Sequence, residues 1–159
     1  MSHIHNKIDF TVEVFIVYYN TVLLRKHDKY KIWLSVGGHI ELDEDPNQAA
    51  LREVKEEVGL DVVLTGSVPV FKNEDNPYRE LLPPRFLNRH RISDTHEHVT
   101  LVYFGTSKTD ILVQGDHEKS EECRWFSRKE LRDKNWGIRE SIWRYAKAAL
   151  DECGASVDK

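Results

Sequence analysis

GHIELDEDPNQAALREVKEEVGL, residues 38–60, is the stretch of sequence that decides the fold. Glu56 and Glu57 follow Glu53 by three and four positions, so the three carboxylates lie on one face of a helix. Like charges at this spacing repel by roughly 0.2–0.5 kcal/mol per pair, and a bound cation reverses the sign of that contribution. Clustered carboxylates suit a hard ion such as Mg²⁺. The stretch therefore predicts a helix whose acidic face binds a divalent cation.

Two neighbouring features separate this helix from an ordinary solvated acidic helix. Arg52 precedes the acidic residues and can reach Glu56 one turn later. Its positive charge would then hold the carboxylates in place. Gly37 and Gly38 permit backbone conformations that are closed to other residues. A solvated helix requires neither feature. We therefore favour a catalytic site over a merely solvated face.

The ends and the buried face of the helix are also predicted. Asp45 is the expected N-cap, Pro46 the first helical residue, and Gln48 completes a capping box. Gly59 is the expected left-handed residue that ends the helix. An apolar face at helical spacing should be buried and leave the glutamates towards a cleft; it consists of Ala50, Val54 and Val58.

The stretch resembles the Nudix box, G-x5-E-x7-R-E-U-x-E-E-x-G-U, in which U is a bulky aliphatic residue. Every fixed position matches, with Val54 and Leu60 as the aliphatic residues. The resemblance implies an α+β fold, the Nudix α/β/α sandwich with a mixed β-sheet in a single domain. It also implies Mg²⁺-dependent hydrolysis of a nucleoside diphosphate linked to another group, which it does not identify. We predict this domain at 9–153, with a polar lead at 1–8 and a tail at 154–159.

Residue roles follow from the resemblance, position by position. The implied metal ligands are three side chains, Glu53, Glu56 and Glu57. A backbone carbonyl of Gly37 or Gly38 is a further implied ligand. The expected cofactor is Mg²⁺, for which Mn²⁺ can substitute. Arg52 is implied to orient the carboxylates through charge-assisted hydrogen bonds and not to touch substrate.

Three further carboxylates remain open. Glu44 either orients the loop before the helix, binds metal through water, or is an exposed loop residue. The general base of relatives is a box glutamate or a carboxylate on a distant loop. In this chain that loop is 116–122, so Glu118 and Glu121 are candidates, and a solvated acidic surface is the alternative.

Composition limits the classes of partner. The 159 residues are 40% hydrophobic, which suits one domain with an ordinary core. A formal net charge of −4 argues against long nucleic acid and leaves a small nucleotide as the expected partner. Cys123 and Cys153 have no zinc-site spacing, so we expect a reduced, cytoplasmic protein. No apolar run reaches ~18 residues, so no membrane span is expected. The oligomeric state is not predicted.

The elements outside the box follow from hydrophobic patterning. We predict strands, the first two of them forming a hairpin, at 9–19, 22–24, 32–36, 61–66, 89–92, 98–106 and 124–126. Residues 68–88 should form a long loop. Ser127 and Glu130 make a second capping box, and 137–153 should be a terminal amphipathic helix.

Substrate recognition is expected to involve residues beyond the box. The candidates are His39, Tyr78, Arg85, Phe86 and Arg91. In some Nudix proteins a downstream proline accompanies ADP-ribose and a downstream tyrosine accompanies dinucleoside polyphosphates. Pro77 and Tyr78 lie 17 and 18 residues after Leu60, close to the positions of these two substrate-linked residues. A nucleoside triphosphate is an equally favoured substrate.

Two other interpretations are weighed against hydrolysis. The fold family also contains isoprenoid-diphosphate isomerases and nucleotide sensors. Neither cysteine lies in an isomerase motif, which argues against an isomerase, and the complete set of box glutamates argues against a sensor.

His96 and His98 lie on one side of a predicted strand, which suits zinc. Because the sequence offers no third nitrogen or sulfur ligand nearby, we interpret them as hydrogen-bonded.

Overall fold

One mixed β-sheet organises the molecule. A computed structural model describes residues 4–69, 79–114 and 120–155, and the eight strands within these ranges form a single sheet. The strands are β1 (Ile8–Tyr18), β2 (Thr21–Lys26), β3 (Trp33–Leu34), β4 (Val36–His39), β5 (Val62–Leu64), β6 (Phe86–Arg91), β7 (Glu97–Ser107) and β8 (Glu122–Ser127). The helices are α1 (Pro46–Val58), α2 (Arg128–Leu131) and α3 (Glu140–Cys153). None of the described helices has the length and apolar character needed to cross a membrane.

The long strand β1 lies at the centre of the sheet. It pairs antiparallel with β2 and β4 and parallel with β7. Its Val12, Val14 and Ile16 pack in the core that contains the apolar face of α1. Phe15 and Val17 point to the opposite face and pack with α3. A strand covered on both faces reads as an almost continuous apolar run, which is why it is evident in the sequence. The α+β sandwich is confirmed.

The helix α1 has the predicted ends. The Asp45 carboxylate accepts a hydrogen bond from the Gln48 amide at 2.9 Å, and the Gln48 side chain accepts one from the Asp45 amide at 2.9 Å. Gly59 closes the helix in the left-handed conformation, with φ of 70°. The predicted apolar face is completely buried; its members are Ala50, Val54 and Val58.

Two predicted boundaries are wrong. The expected strand at 32–36 is two strands, because the chain changes partner at Ser35: β3 pairs with β2, whereas β4 pairs with β1. Gly37 and Gly38 therefore lie inside β4 and not after a strand. The expected loop at 68–88 ends earlier, since β6 begins at Phe86 opposite Val102 of β7.

Three other predictions have clear outcomes in the fold. The β1–β2 hairpin and the pairing of β6 with β7 are confirmed. The capping box at Ser127 and Glu130 is confirmed and begins α2. The terminal helix α3 begins at Glu140, three residues later than predicted, because a 3₁₀ turn at Lys134–Trp136 ends in Gly137.

Candidate active site

Arg52 lies at the centre of the acidic site and contacts three carboxylates. Its Nε and Nη2 donate to the two oxygens of Glu44 at 2.9 and 2.6 Å. Its Nη1 donates to Glu53 at 2.9 Å and to Glu56 at 3.0 Å. Nη2 also donates to the His39 carbonyl at 3.0 Å. The hydrogen bond to Glu44 is the largest cause that raises the pKa of Arg52, so the guanidinium remains charged.

Glu44 is engaged and is not a solvated loop carboxylate. Besides the two bonds from Arg52, it accepts one from the Glu41 amide at 2.9 Å, and its side chain is only 12% exposed. The Arg52 hydrogen bond is the main reason that the pKa of Glu44 lies below its ordinary value. Glu44 thus fixes the loop before α1 to the helix itself.

Glu57 is the most buried carboxylate of the box. Its side chain is 2% exposed, and Arg25 of β2 contacts its Oε1 at 2.7 Å. Its Oε2 accepts a hydrogen bond from the Gly37 amide at 2.9 Å. A buried carboxylate requires such partners, because an unpaired buried charge costs several kcal/mol. Strands β2 and β4 therefore hold the far end of the acidic face.

The glycine pair is required by close packing of β4 against β1 and α1. A Cβ at Gly38 would overlap the carboxylate of Glu53, and a Cβ at Gly37 would overlap the carbonyl oxygen of Val12. Gly37 also has a φ of 157°, which side-chain-bearing residues rarely adopt. Only glycine allows β4 to lie this close to both β1 and Glu53. The backbone of β4 and the carboxylates of α1 are thereby brought together.

The donor set fits a hard divalent cation. Glu53 and Glu57 are buried, whereas the Glu56 side chain is 62% exposed, so the acidic face of α1 is accessible to solvent at Glu56. In an extended strand the amide and carbonyl of one residue point to the same edge. Because the Gly37 amide reaches Glu57, its carbonyl lies on that edge too. Oxygen ligands of this kind, carboxylates plus a carbonyl, suit Mg²⁺ or Mn²⁺.

Glu13 is a polar residue beside this site that the sequence analysis missed. It lies opposite Gly37 in the β1–β4 register. Burial raises the pKa of Glu13 to about 7, and a hydrogen bond with Ser35 and the charge of Arg25 partly offset that effect. A signal was present in the sequence, since Asp9, Thr11 and Glu13 alternate with the apolar residues of β1.

The remaining carboxylate candidates lie elsewhere or are not described. Glu121 forms ion pairs with Lys31 at 3.1 Å and with Lys26 at 3.7 Å, beyond the end of β2. The hydrogen bond to Lys31 is the largest cause that lowers the pKa of Glu121. Glu118 lies outside the described residues. A role of either residue as general base stays a prediction.

The predicted substrate-binding residues are dispersed. Phe86 is 42% exposed and packs on Tyr145, with ring centroids 5.0 Å apart. Arg85 forms an ion pair with Glu152 of α3 at 2.7 Å. Arg91 is exposed at the end of β6, and Tyr78 lies outside the described residues. The structure thus brings none of these three described residues into contact with the box glutamates.

His39 faces away from the glutamates. Its carbonyl accepts from Arg52, but its Nε2 lies 3.1 Å from the Asp9 carboxylate on the other face of the sheet. The His39 ring is 5.0 Å from that of His98, centroid to centroid. Asp9 is not among the predicted site residues, and the sequence pairs His98 only with His96, because strand register and not sequence proximity brings Asp9, His39 and His98 together.

Comparison with known proteins assigns the family. A family model for the NUDIX domain matches residues 10–145, most of the chain. The chain belongs to the Nudix family. A Nudix hydrolase from Clostridium perfringens has a crystal structure that superposes with a TM-score of 0.80 at 37% identity, covering 90% of this chain and 96% of that one. The chain is accordingly a pyrophosphohydrolase of Nudix type.

The chain is also similar to two curated relatives and, in its fold, to a second solved structure. The chain is 29% identical over 114 residues to an RNA pyrophosphohydrolase of Gluconacetobacter diazotrophicus, covering 71% of this chain and 67% of the relative. It is 50% identical over 42 residues to the dihydroneopterin triphosphate diphosphatase of Escherichia coli, covering 26% and 28% of the two chains. An Ap4A hydrolase of C. elegans shares the fold, with a TM-score of 0.61 at 19% identity over 90% of this chain and 98% of that one.

Proposed function

We propose that this Nudix hydrolase cleaves a pyrophosphate bond in a small nucleotide-type substrate with the help of Mg²⁺, for which Mn²⁺ substitutes. The observation that carries the proposal is the Arg52 network, which gathers Glu44, Glu53 and Glu56 beside the buried Glu57. A merely structural helix has no need to gather three carboxylates around one guanidinium. The candidate ligands are Glu53, Glu56, Glu57 and the carbonyl of Gly37 or Gly38.

A divalent cation held there would neutralise phosphate charge and acidify a bound water. The protein's own residues do the positioning. Arg52 fixes Glu53 and Glu56 from the helix side, and Arg25 with the Gly37 amide fixes Glu57 from the sheet side. Carboxylates restrained in this way do not have to reorganise when the substrate binds.

The substrate class we favour is a polyphosphate chain joined to a nitrogen heterocycle. Two curated relatives are an RNA pyrophosphohydrolase and a dihydroneopterin triphosphate diphosphatase, and both of these activities concern phosphate chains. The net charge of −4 favours a small molecule over long RNA.

A cytoplasmic location belongs to the same proposal. Cys123 and Cys153 are both free, as expected of a protein that works in a reducing compartment.

The test is a nucleotide panel that includes nucleoside triphosphates, dinucleoside polyphosphates and a pterin triphosphate. Purified protein is incubated with each compound in Mg²⁺, and the released phosphate species are separated by ion chromatography. We expect one class to be hydrolysed, with turnover abolished by a chelator and restored by Mn²⁺. Tight nucleotide binding with no turnover on any compound would instead identify a sensor, and turnover that persists in chelator would contradict the metal assignment.

A further inference from the structure

A second group of metal-ligand side chains lies on the face of the sheet opposite α1. It consists of Asp9 of β1, His39 of β4 and His98 of β7. Asp9 and His98 are direct partners in the parallel β1–β7 register, and His39 lies opposite Thr11 in the β1–β4 register. Alternate residues of a strand share one face, so Asp9 and Thr11 point the same way. One ligand atom from each of the three side chains lies within 4.8 Å of the other two.

The surroundings of Asp9 are rich in imidazole. Its carboxylate is fully buried, with Oδ2 at 3.1 Å from His39 Nε2 and at 3.3 Å from His96 Nε2. The rings of His96 and His90 lie 5.2 and 5.7 Å from that of His98. His39, His90, His96 and His98 are four of the 8 histidines in the chain. The Asp9 carboxylate also accepts hydrogen bonds from the Ile4 amide at 3.3 Å and from the His5 amide at 2.6 Å.

The chemistry of these donors selects a different ion from the one expected at α1. Two imidazoles and one carboxylate suit Zn²⁺ and similar transition ions, whereas Mg²⁺ prefers oxygen alone. Zinc bonds of 2.0–2.2 Å place the ligand atoms of a tetrahedral site about 3.3 Å apart. Asp9 and His39 already have this separation, at 3.1 Å. The ligand atom of His98 lies within 4.8 Å of both.

We propose that Asp9, His39 and His98 form a second metal site, which takes a divalent transition ion of the Zn²⁺ type. The site is separate from the box glutamates, because Gly38 faces Glu53 on the α1 side and the next residue, His39, faces the other way. It contains none of the residues proposed for hydrolysis and does not depend on that proposal. His96, which contacts Asp9, is a positioning residue that orients the carboxylate.

The placement of the ligands on rigid elements also supports metal binding. All three ligands lie on strands of the central sheet, so they are held in place before an ion arrives. An ion there would join β1, β4 and β7 and stabilise the sheet against unfolding.

The test is a calorimetric titration of the full-length protein with Zn²⁺ in a large excess of Mg²⁺, which occupies the oxygen ligands of α1. We expect one high-affinity Zn²⁺ in the wild type and also in Glu57→Gln. His98→Asn and Asp9→Asn should each weaken the affinity at least about 100-fold, and His96→Asn about 10–100-fold, as for other outer-shell partners. Zn²⁺ should raise the Tm of the wild type and not that of His98→Asn.

Controls distinguish the proposed ligands from other histidines and from misfolding. His27→Asn removes a histidine from the β2–β3 loop and should bind Zn²⁺ as the wild type does. Circular dichroism of each variant without metal establishes folding, and Asp9→Asn provides a second ligand variant if His98→Asn is unstable. Equal Zn²⁺ affinity in the wild type, His98→Asn and Asp9→Asn, or no tight Zn²⁺ in the wild type, would overturn the proposal.

Discussion

The two candidate metal sites of this hydrolase lie on opposite faces of one sheet and are encoded in different ways. The glutamates of α1 come from one turn of a helix, so their proximity follows from sequence spacing alone. Asp9, His39 and His98 come from three strands and meet only through register. A local motif reveals the first site in a single sequence. The second becomes visible only when the order and direction of the strands are known.

The largest effect that we expect tests the helical site. Glu57→Gln keeps the shape of the buried side chain and removes its charge, so turnover with Mg²⁺ should fall at least ~100-fold. Steady-state kinetics on the best substrate of the panel measure this loss. Glu140→Gln, an exposed glutamate at the start of α3, is the matched control and should retain wild-type turnover. Equal turnover in both variants, with folding verified, would place the metal elsewhere.

The next effect concerns Glu13 of β1, which lies opposite Gly37 of β4. Because burial raises its folded pKa from 4.5 to about 7, the folded state favours the protonated carboxyl. The contribution of Glu13 to the free energy of unfolding is therefore fully present below pH 4.5 and is lost as the pH rises towards 7. Glu13→Gln does not ionise, so relative to wild type it should gain up to about 3 kcal/mol at alkaline pH and little in acid.

Urea unfolding of both proteins at about pH 4 and about pH 8 measures this difference. Glu140→Gln serves again as the control, since its parent side chain is exposed and its replacement should give no such pH dependence. A stability difference between Glu13→Gln and wild type that stays constant with pH would show that Glu13 is not buried in the way described.

A third prediction tests whether close approach of β4 to α1 matters. Gly38→Ala places a methyl group against the Glu53 carboxylate, so we expect a loss of about 1–3 kcal/mol in stability together with reduced turnover. Gly137→Ala provides the comparison: its φ of 64° is strained for alanine, but no atom lies within 4 Å of the added carbon. That variant should lose about 1 kcal/mol in stability and keep its turnover. Equal turnover in the two variants would contradict the role given to Gly38.

The smallest expected effect belongs to Arg52. Arg52→Lys keeps the charge but lacks the planar fork that reaches Glu44, Glu53 and Glu56 together. If Arg52 only positions carboxylates, kcat should fall about 10-fold while KM changes little. A large rise in KM with normal kcat would instead show that Arg52 binds the substrate.

The sequence predicted those features that depend on contacts between residues close together in the chain. The capping box at Asp45, the buried face of α1 and the reach of Arg52 to Glu56 are short-range, and each was predicted. The break at Ser35 and the start of β6 at Phe86 were not, because strand partners rather than local propensity decide them.

The histidines show the same limit more clearly. The sequence presents His96 and His98 as a pair suited to zinc but offers no third ligand near them in the chain. The third and fourth groups, His39 and Asp9, come from strands distant in sequence. The parallel pairing of β1 with β7 places Asp9 beside His98, and no periodicity within either strand could have indicated it.

The most direct test of the central claim is a Mn²⁺ titration followed by electron paramagnetic resonance, which measures the free ion without any substrate. The wild type and Glu140→Gln should bind Mn²⁺ with the same affinity. Removing one buried carboxylate, in Glu53→Gln or Glu57→Gln, should weaken that affinity at least about 10-fold. Unchanged Mn²⁺ affinity in both of these variants would contradict the assignment of the divalent cation to the acidic face of α1.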